Sequence, residues 1–117
     1  MKALVRQRDT KLERLLELAP SMLFGSASET YRTCGNPRCR CHGEGPKHGP
    51  HMYVNYKGKT GRTTGYYVPV AFQERVRSGL AAWREFQALA KEVAHLNKEI
   101  FDAERPKRPK AKPRKPA

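Results

Sequence analysis

The sequence predicts an α+β fold in which two amphipathic helices flank a small antiparallel sheet. Apolar residues recur at helical spacing near both ends of the 117-residue chain, and two short segments between them alternate apolar with polar residues. We therefore expect one small domain over residues 1–104, with a helix over 1–19, an irregular loop and antiparallel sheet over 28–68, and a long helix over 70–104. Residues 105–117 follow as a separate tail.

The first helix is predicted from the spacing of apolar residues after Lys2. Its apolar face consists of Val5, Leu12, Leu15, Leu16 and Ala19. Pro20 disfavours helical geometry in the residue before it, so the helix is expected to end at Ala19. The segment Ser28–Thr33 is predicted as a short strand because it is rich in residues that favour strands.

A loop rich in cysteine, glycine and proline follows over residues 34–50. It contains four glycines and three prolines and has neither helical nor strand periodicity. Such a long loop is uncommon inside a compact domain unless it is functional or held in place. Because its side chains supply almost no apolar core, a bound metal ion is the predicted organiser.

A β-hairpin is predicted after the loop. Apolar residues alternate with polar ones over 52–57 and again over 63–68, and Gly58–Gly61 lies between the two segments. Pro69 is expected to end the second strand and to precede the long helix.

The long helix is predicted from an apolar stripe that begins after Val70. Its members are Phe72, Val76, Leu80, Trp83, Phe86, Leu89, Val93, Leu96 and Ile100. The helix is about 50 Å long and the first helix only about 27 Å, so the first cannot cover the whole stripe. We therefore expect a homodimer through the long helices. The alternative is a monomer in which the long helix folds back as two shorter ones, with Ser78-Gly79 as the point of bending.

The loop carries a metal-ligating pattern, C-x4-C-x-C-x6-H, formed by Cys34, Cys39, Cys41 and His48. Structural zinc takes four thiolate or imidazole donors in a tetrahedron, so we predict zinc bound by these four residues. His51 and then His42 are the alternatives for the fourth ligand. The other interpretations are three reduced cysteines in a flexible loop, an iron–sulfur cluster or a redox switch.

The residues argue against an enzyme. A catalytic zinc needs an open coordination position and usually a carboxylate or histidine that handles protons. Glu44 is the only acidic residue in the segment 31–62, and the sequence contains no P-loop, dinucleotide-binding or serine-hydrolase signature. We therefore expect a non-catalytic protein.

Composition also predicts the compartment. The first residues are charged throughout, without the apolar segment of a signal peptide, and no run of about 18 apolar residues occurs. Three cysteines are an odd number, which does not suit a secreted disulfide framework. We expect a cytoplasmic protein that does not enter a membrane.

The charge predicts a polyanionic partner. The chain carries 24 lysines and arginines against 11 acidic residues, for a net charge of +13. The excess lies in the tail and in the segment 31–62, whose basic residues are Arg32, Arg38, Arg40, Lys47, Lys57, Lys59 and Arg62. We predict that these seven residues contact the phosphates of a nucleic acid, and that the tail is a disordered arm which adds phosphate contacts rather than merely solubilising the chain. Exposed tyrosines beside basic residues can stack on bases. The alternative, that these tyrosines are strand residues with one face in the core, is favoured for Tyr56 and Tyr66 and stays open for Tyr53 and Tyr67.

A family resemblance is carried by Gly25-Ser26, Tyr31, Cys34-Gly35, Pro37, Cys39, Cys41 and His48-Gly49-Pro50. These residues resemble the core of a family of small uncharacterised bacterial proteins with a domain of unknown function. The sequence departs from that core at Asn36, where the family usually has lysine, and at His51, where it usually has tyrosine. Family members often occur near mobile elements and are sometimes labelled transposases, which implies association with DNA more than with RNA.

The resemblance does not imply transposase chemistry in this chain. A common transposase core needs several acids around divalent metal, whereas Asp9 and Asp102 are the only aspartates and both lie on predicted helices. The predicted function is therefore that of a zinc-binding, DNA-associated accessory or regulatory protein. The alternative is a protein-interaction adaptor that dimerises or docks through the stripe from Val76 to Ile100.

Overall fold

The computed structural model describes residues 1–105. The chain forms helix α1 (Lys2–Leu18), a short 3-10 turn (Ala19–Ser21), strand β1 (Ser26–Arg32), a second 3-10 turn (Arg40–His42), strands β2 (His48–Lys57) and β3 (Thr63–Val68), and helix α2 (Val70–Glu104). The predicted α+β class and the predicted order of elements are confirmed. The tail predicted over 105–117 lies outside the described residues from residue 106 onward.

The three strands form one antiparallel sheet with β2 in the centre. Val54 on β2 lies opposite Ala27 on β1 and Tyr66 on β3, while its neighbour Tyr53 lies opposite Ser28 and Tyr67. Successive residues of a strand point to opposite sides, so these two sets belong to opposite faces of the sheet. We call the face that carries Val54 the inner face and the face that carries Tyr53 the outer face.

Strands β1 and β2 are longer than predicted. β2 begins at His48 rather than at Met52, because His48 and His51 pair with Arg32 and Thr30 of β1. The end of the segment predicted as irregular loop therefore belongs to the sheet. Hydrogen bonds to β1 outweigh the lack of alternation in the sequence at these positions, and single-sequence patterns do not reveal such pairing.

The core lies between the inner face and the first half of α2. It consists of Met52, Val54, Val68, Val76 and Leu80. At its edge, the buried Gln73 side chain donates a hydrogen bond from Nε2 to the carbonyl oxygen of Pro50 at 2.8 Å. This bond satisfies a polar group that would otherwise be costly to bury.

Helix α1 packs antiparallel against the second half of α2. Arg14 makes a bidentate ion pair with Glu85, with Nε 2.6 Å from Oε2 and Nη2 3.2 Å from Oε1, and Lys11 lies 3.0 Å from Glu92. Leu18, Leu96 and Ile100 are buried. Within the described residues, none of the helices combines the length and apolar character that crossing a membrane requires.

Two elements of the same chain thus cover different parts of the stripe on α2. The sheet covers the part near Val76 and Leu80, and α1 packs against the part farther along. The homodimer is predicted because α1 is too short to cover the stripe, but the inner face of the sheet covers Val76 and Leu80 within the same chain. The homodimer stays a prediction. The alternative of two shorter helices is wrong, since α2 is one helix from Val70 to Glu104.

Gly79 on α2 allows the chain after α1 to cross the helix closely. A Cβ atom there would lie 2.7 Å from the carbonyl oxygen of Ser21 and 2.9 Å from the Leu23 side chain. The backbone N–H of Leu23 donates to the carbonyl oxygen of Gly79 at 3.0 Å. The glycine predicted as a point of bending is therefore a point of close backbone contact.

We expect Gly79→Ala to destabilise the protein by about 1–3 kcal/mol, because the added methyl group must displace backbone as well as a packed side chain. Urea unfolding followed by circular dichroism measures this loss. Ser78→Ala, at the neighbouring exposed position, is the matched control and should change stability by less than about 0.5 kcal/mol. Equal stability of the two variants would contradict the close contact.

Candidate metal centre

The pairing of β1 with β2 brings together the ends of the segment that carries the cysteines. Arg32 pairs with His48, so Cys34, two residues beyond Arg32, lies near the start of β2. Cys39 and Cys41 lie at the start and in the middle of the 3-10 turn between them. We call residues 34–48 the metal loop.

The four predicted ligands form one cluster. Their donor atoms all lie within 4.8 Å of one another, with Cys39 Sγ 3.3 Å from His48 Nε2 and Cys34 Sγ 3.7 Å from Cys41 Sγ. A tetrahedral zinc with Zn–S bonds of about 2.3 Å has sulfur–sulfur edges of about 3.8 Å. The cysteines are free, and the cluster could hold a metal ion.

Backbone turns place these side chains. Asn36 accepts two hydrogen bonds from backbone N–H groups, one on its carbonyl oxygen from Cys39 and one on Oδ1 from Arg38, both at 3.0 Å. The N–H of Cys34 points at Cys41 Sγ at 3.3 Å. Asn36 therefore closes the turn between the first two cysteines, as asparagine commonly does.

The thiols differ in acidity. A hydrogen bond from the backbone N–H of Cys41, followed by the interaction with His48, lowers the pKa of Cys39 to about 6. Burial raises the pKa of Cys41, which is only 1% exposed. Cys39 therefore supplies a thiolate, the form that ligates metals, more readily than Cys41 does.

The three histidines considered as the fourth ligand lie in different surroundings. His48 belongs to the cluster. His42 Nε2 lies 2.7 Å from the carbonyl oxygen of Cys34, which can only accept a hydrogen bond, so this ring braces the loop instead. His51 pairs with Thr30 and lies on the outer face of the sheet.

Two residues of the metal loop have roles that the sequence did not indicate. The Lys47 ammonium, predicted only as a phosphate contact, donates to the carbonyl oxygen of Cys41. Gly45 donates its N–H to the carbonyl oxygen of Arg40 at 2.9 Å, and a Cβ there would lie 2.5 Å from the Arg40 Cβ and 2.7 Å from that oxygen. The pair of glycines flanking Glu44 was the only signal in the sequence for this close turn.

We expect Gly45→Ala to weaken metal binding roughly 10–100-fold, the usual effect of disturbing groups that support metal ligands. The added methyl group overlaps the backbone of Arg40, next to two of the cysteines. Competition with a chromogenic chelator measures the affinity. Gly35→Ala is the control, because a Cβ at Gly35 meets nothing within 4 Å; an equal loss in both variants would contradict the steric explanation.

The seven basic residues predicted to contact phosphates are all exposed, but they form two groups. Arg32, Arg38, Arg40 and Lys47 lie on or beside the metal loop. Lys57, Lys59 and Arg62 lie at the hairpin turn, at the opposite end of β2. The ten residues of β2 separate the two groups by about 30 Å.

Comparison with known proteins identifies a family for most of the chain. Residues 1–78 match a domain of unknown function, DUF6788. No curated protein and no solved structure matches the chain. The matched residues include α1, the whole metal loop and the complete sheet. The chain therefore belongs to the DUF6788 family.

Proposed function

We propose that the protein is a non-catalytic nucleic-acid-binding protein in which a structural zinc ion holds the basic metal loop in a fixed shape. The observation that carries this proposal is the close grouping of three thiols and one imidazole in a loop that also carries exposed Arg38 and Arg40. The ligand cluster, the metal loop and these two arginines therefore belong to one structural unit.

The donor set favours zinc. Three sulfur ligands and one imidazole are a common set in structural zinc sites, and soft thiolates select against magnesium and calcium. Four donors from the protein complete a tetrahedron, which is why we infer a structural ion with no open position for a substrate. Free thiols suit a reducing compartment, so we place the protein in the cytoplasm.

The charge distribution favours nucleic acid as the partner. The segment 31–62 carries seven basic residues and one acidic residue, while residues 63–104 are close to neutral. A localised excess of this kind binds the phosphate backbone. The resemblance to proteins found near mobile elements makes DNA the first nucleic acid to test, in an accessory or regulatory role.

Titration of labelled DNA with the zinc-loaded protein tests the proposal. We expect binding whose affinity falls linearly on logarithmic axes as salt rises. Absence of binding, or binding that does not respond to salt, would contradict it.

The adaptor alternative has less support than its sequence pattern indicated. Val76, Leu80 and Ile100 of the stripe are buried within the chain. Among the apolar side chains that stay exposed near α2 is a smaller aromatic row, in which the 53% exposed Phe24 lies 6.3 Å from Trp83 and Trp83 stacks on Phe86. Capture of a specific protein through this row, lost in Phe24→Ala, would favour the adaptor.

A further inference from the structure

The outer face of the sheet lies open between the two basic groups. On the inner face Met52 and Val54 are completely buried, whereas on the outer face Tyr53 and Tyr67 are each 49% exposed. The outer face forms a shallow groove of about 350 Å³ lined by residues of all three strands, among them Arg32, His51 and Asn55. Within residues 1–105, both helices pack away from this face.

We propose that the outer face binds single-stranded nucleic acid, with bases stacking on Tyr53 and Tyr67 while the two basic groups hold the phosphates on either side. This inference rests on the proposed function, since it names the form of nucleic acid and the surface that takes it. It assigns base stacking to Tyr53 and Tyr67, between the two basic groups.

The tyrosines are arranged as a platform. They lie directly opposite each other on neighbouring strands, with ring centroids 6.5 Å apart and ring planes inclined by 56°. Exposed aromatic rings at the centre of a sheet stack on unpaired bases in several families of single-strand-binding proteins. Two such neighbouring rings give consecutive bases a place to stack.

The surroundings of the platform suit bases rather than an apolar partner. Asn55 and His51 flank Tyr53 on the same face and carry side chains that can hydrogen-bond to base edges. Gly65, opposite Asn55, keeps the floor of the groove low, since a Cβ there would lie 2.5 Å from Asn55 Oδ1 and 3.3 Å from the Tyr53 ring. A hydrophobic protein segment would leave these polar groups unpaired.

Positive charge lies at both ends of the outer face. Arg32 and the metal loop supply positive charge at one end of β2, and the hairpin turn supplies it at the other, about 30 Å away. A single strand laid along β2 would meet basic residues at both ends and tyrosines in the middle. Duplex DNA would offer phosphates to the ends but no base faces to the tyrosines, because its bases are stacked inside the helix.

Fluorescence anisotropy with the full-length zinc-loaded protein tests the inference. The probes are fluorescein-labelled dT12, the RNA counterpart rU12 and a 12-base-pair duplex of dA12 with dT12. We expect dT12 to bind more tightly than the duplex, and Tyr53→Ala and Tyr67→Ala each to weaken dT12 binding by about 5- to 150-fold. Tyr53→Phe and Tyr67→Phe keep the rings and should retain most of the affinity.

Controls separate stacking from folding and from charge. Phe101→Ala removes a similarly exposed ring from the far end of α2 and should leave binding unchanged. The alanine variants should keep the salt slope of the wild type, because they remove no charge. Circular dichroism and zinc content confirm that each variant is folded, and the phenylalanine variants keep the test valid if an alanine variant does not fold.

The outcomes distinguish this inference from the proposed function. If dT12 or the duplex binds but neither alanine variant weakens binding, stacking on the outer face is wrong and the proposed function stands. If none of the probes binds, both are wrong. Tighter binding of rU12 with the same dependence on the tyrosines supports the inference and identifies RNA as the single strand.

Discussion

Replacing Cys41 with serine is expected to abolish zinc binding and to unfold the metal loop. Within residues 34–48, all of which the structure describes, Cys41 is the only buried residue. The loop therefore has no apolar core of its own, and the ligand cluster at its centre must hold it. Structural zinc sites contribute about 10–16 kcal/mol of binding energy in small peptides, so losing a ligand removes the main source of order.

Elemental analysis of purified protein measures the loss of zinc binding. We expect about one zinc per wild-type chain and none that survives dialysis in Cys41→Ser or His48→Ala. His51→Ala is the matched control, because His51 lies on the outer face and should not affect zinc content. A wild-type chain without zinc, or zinc retained by both ligand variants, would contradict the assignment.

Amide spectra measured by nuclear magnetic resonance report the unfolding of the metal loop. Chelation should collapse the resonances of the metal loop toward those of an unfolded chain. The core around Met52, Val54 and Val68 is built from the sheet and α2 without the cluster, so its resonances should persist. Global unfolding on chelation would instead mean that the sheet depends on the metal.

The features that the sequence predicted best are local ones. The long helix is predicted at residues 70–104, where α2 is found, because Pro69 immediately precedes it and its apolar period is regular. The four clustered donors all lie within fifteen residues, so the chain needs only turns to bring them together. Spacing along the chain is a reliable guide when the contacts themselves are local.

The features that the sequence could not predict depend on distant contacts. Periodicity identified the stripe on α2, but it could not indicate that the inner face of the sheet would cover Val76 and Leu80. The pairing of His51 with Thr30 placed a candidate ligand on the outer face. In the sequence, the seven basic residues belong to one segment, 31–62. In the structure, the length of β2 separates them into two groups.

Division of charge between the two ends of the sheet leads to a prediction about salt. Affinity for a single strand falls with salt with a slope of about 0.7 per phosphate neutralised. Replacing Arg38 and Arg40 with alanine should therefore lower the slope by up to about 1.4, and replacing Lys57 and Lys59 should do the same. Arg84→Ala is the control, since Arg84 is exposed on α2, on the other side of the sheet.

The two double variants also test whether one nucleic-acid strand contacts the basic groups at both ends of β2 at once. If it does, a labelled dT12 should lose affinity in both double variants, whereas a four-nucleotide probe, too short for the full length of β2, should bind weakly and depend less on either pair. A slope that changes with Arg38 and Arg40 alone would confine the phosphates to the metal loop. An unchanged slope in both double variants would show that neither group contacts the phosphate backbone.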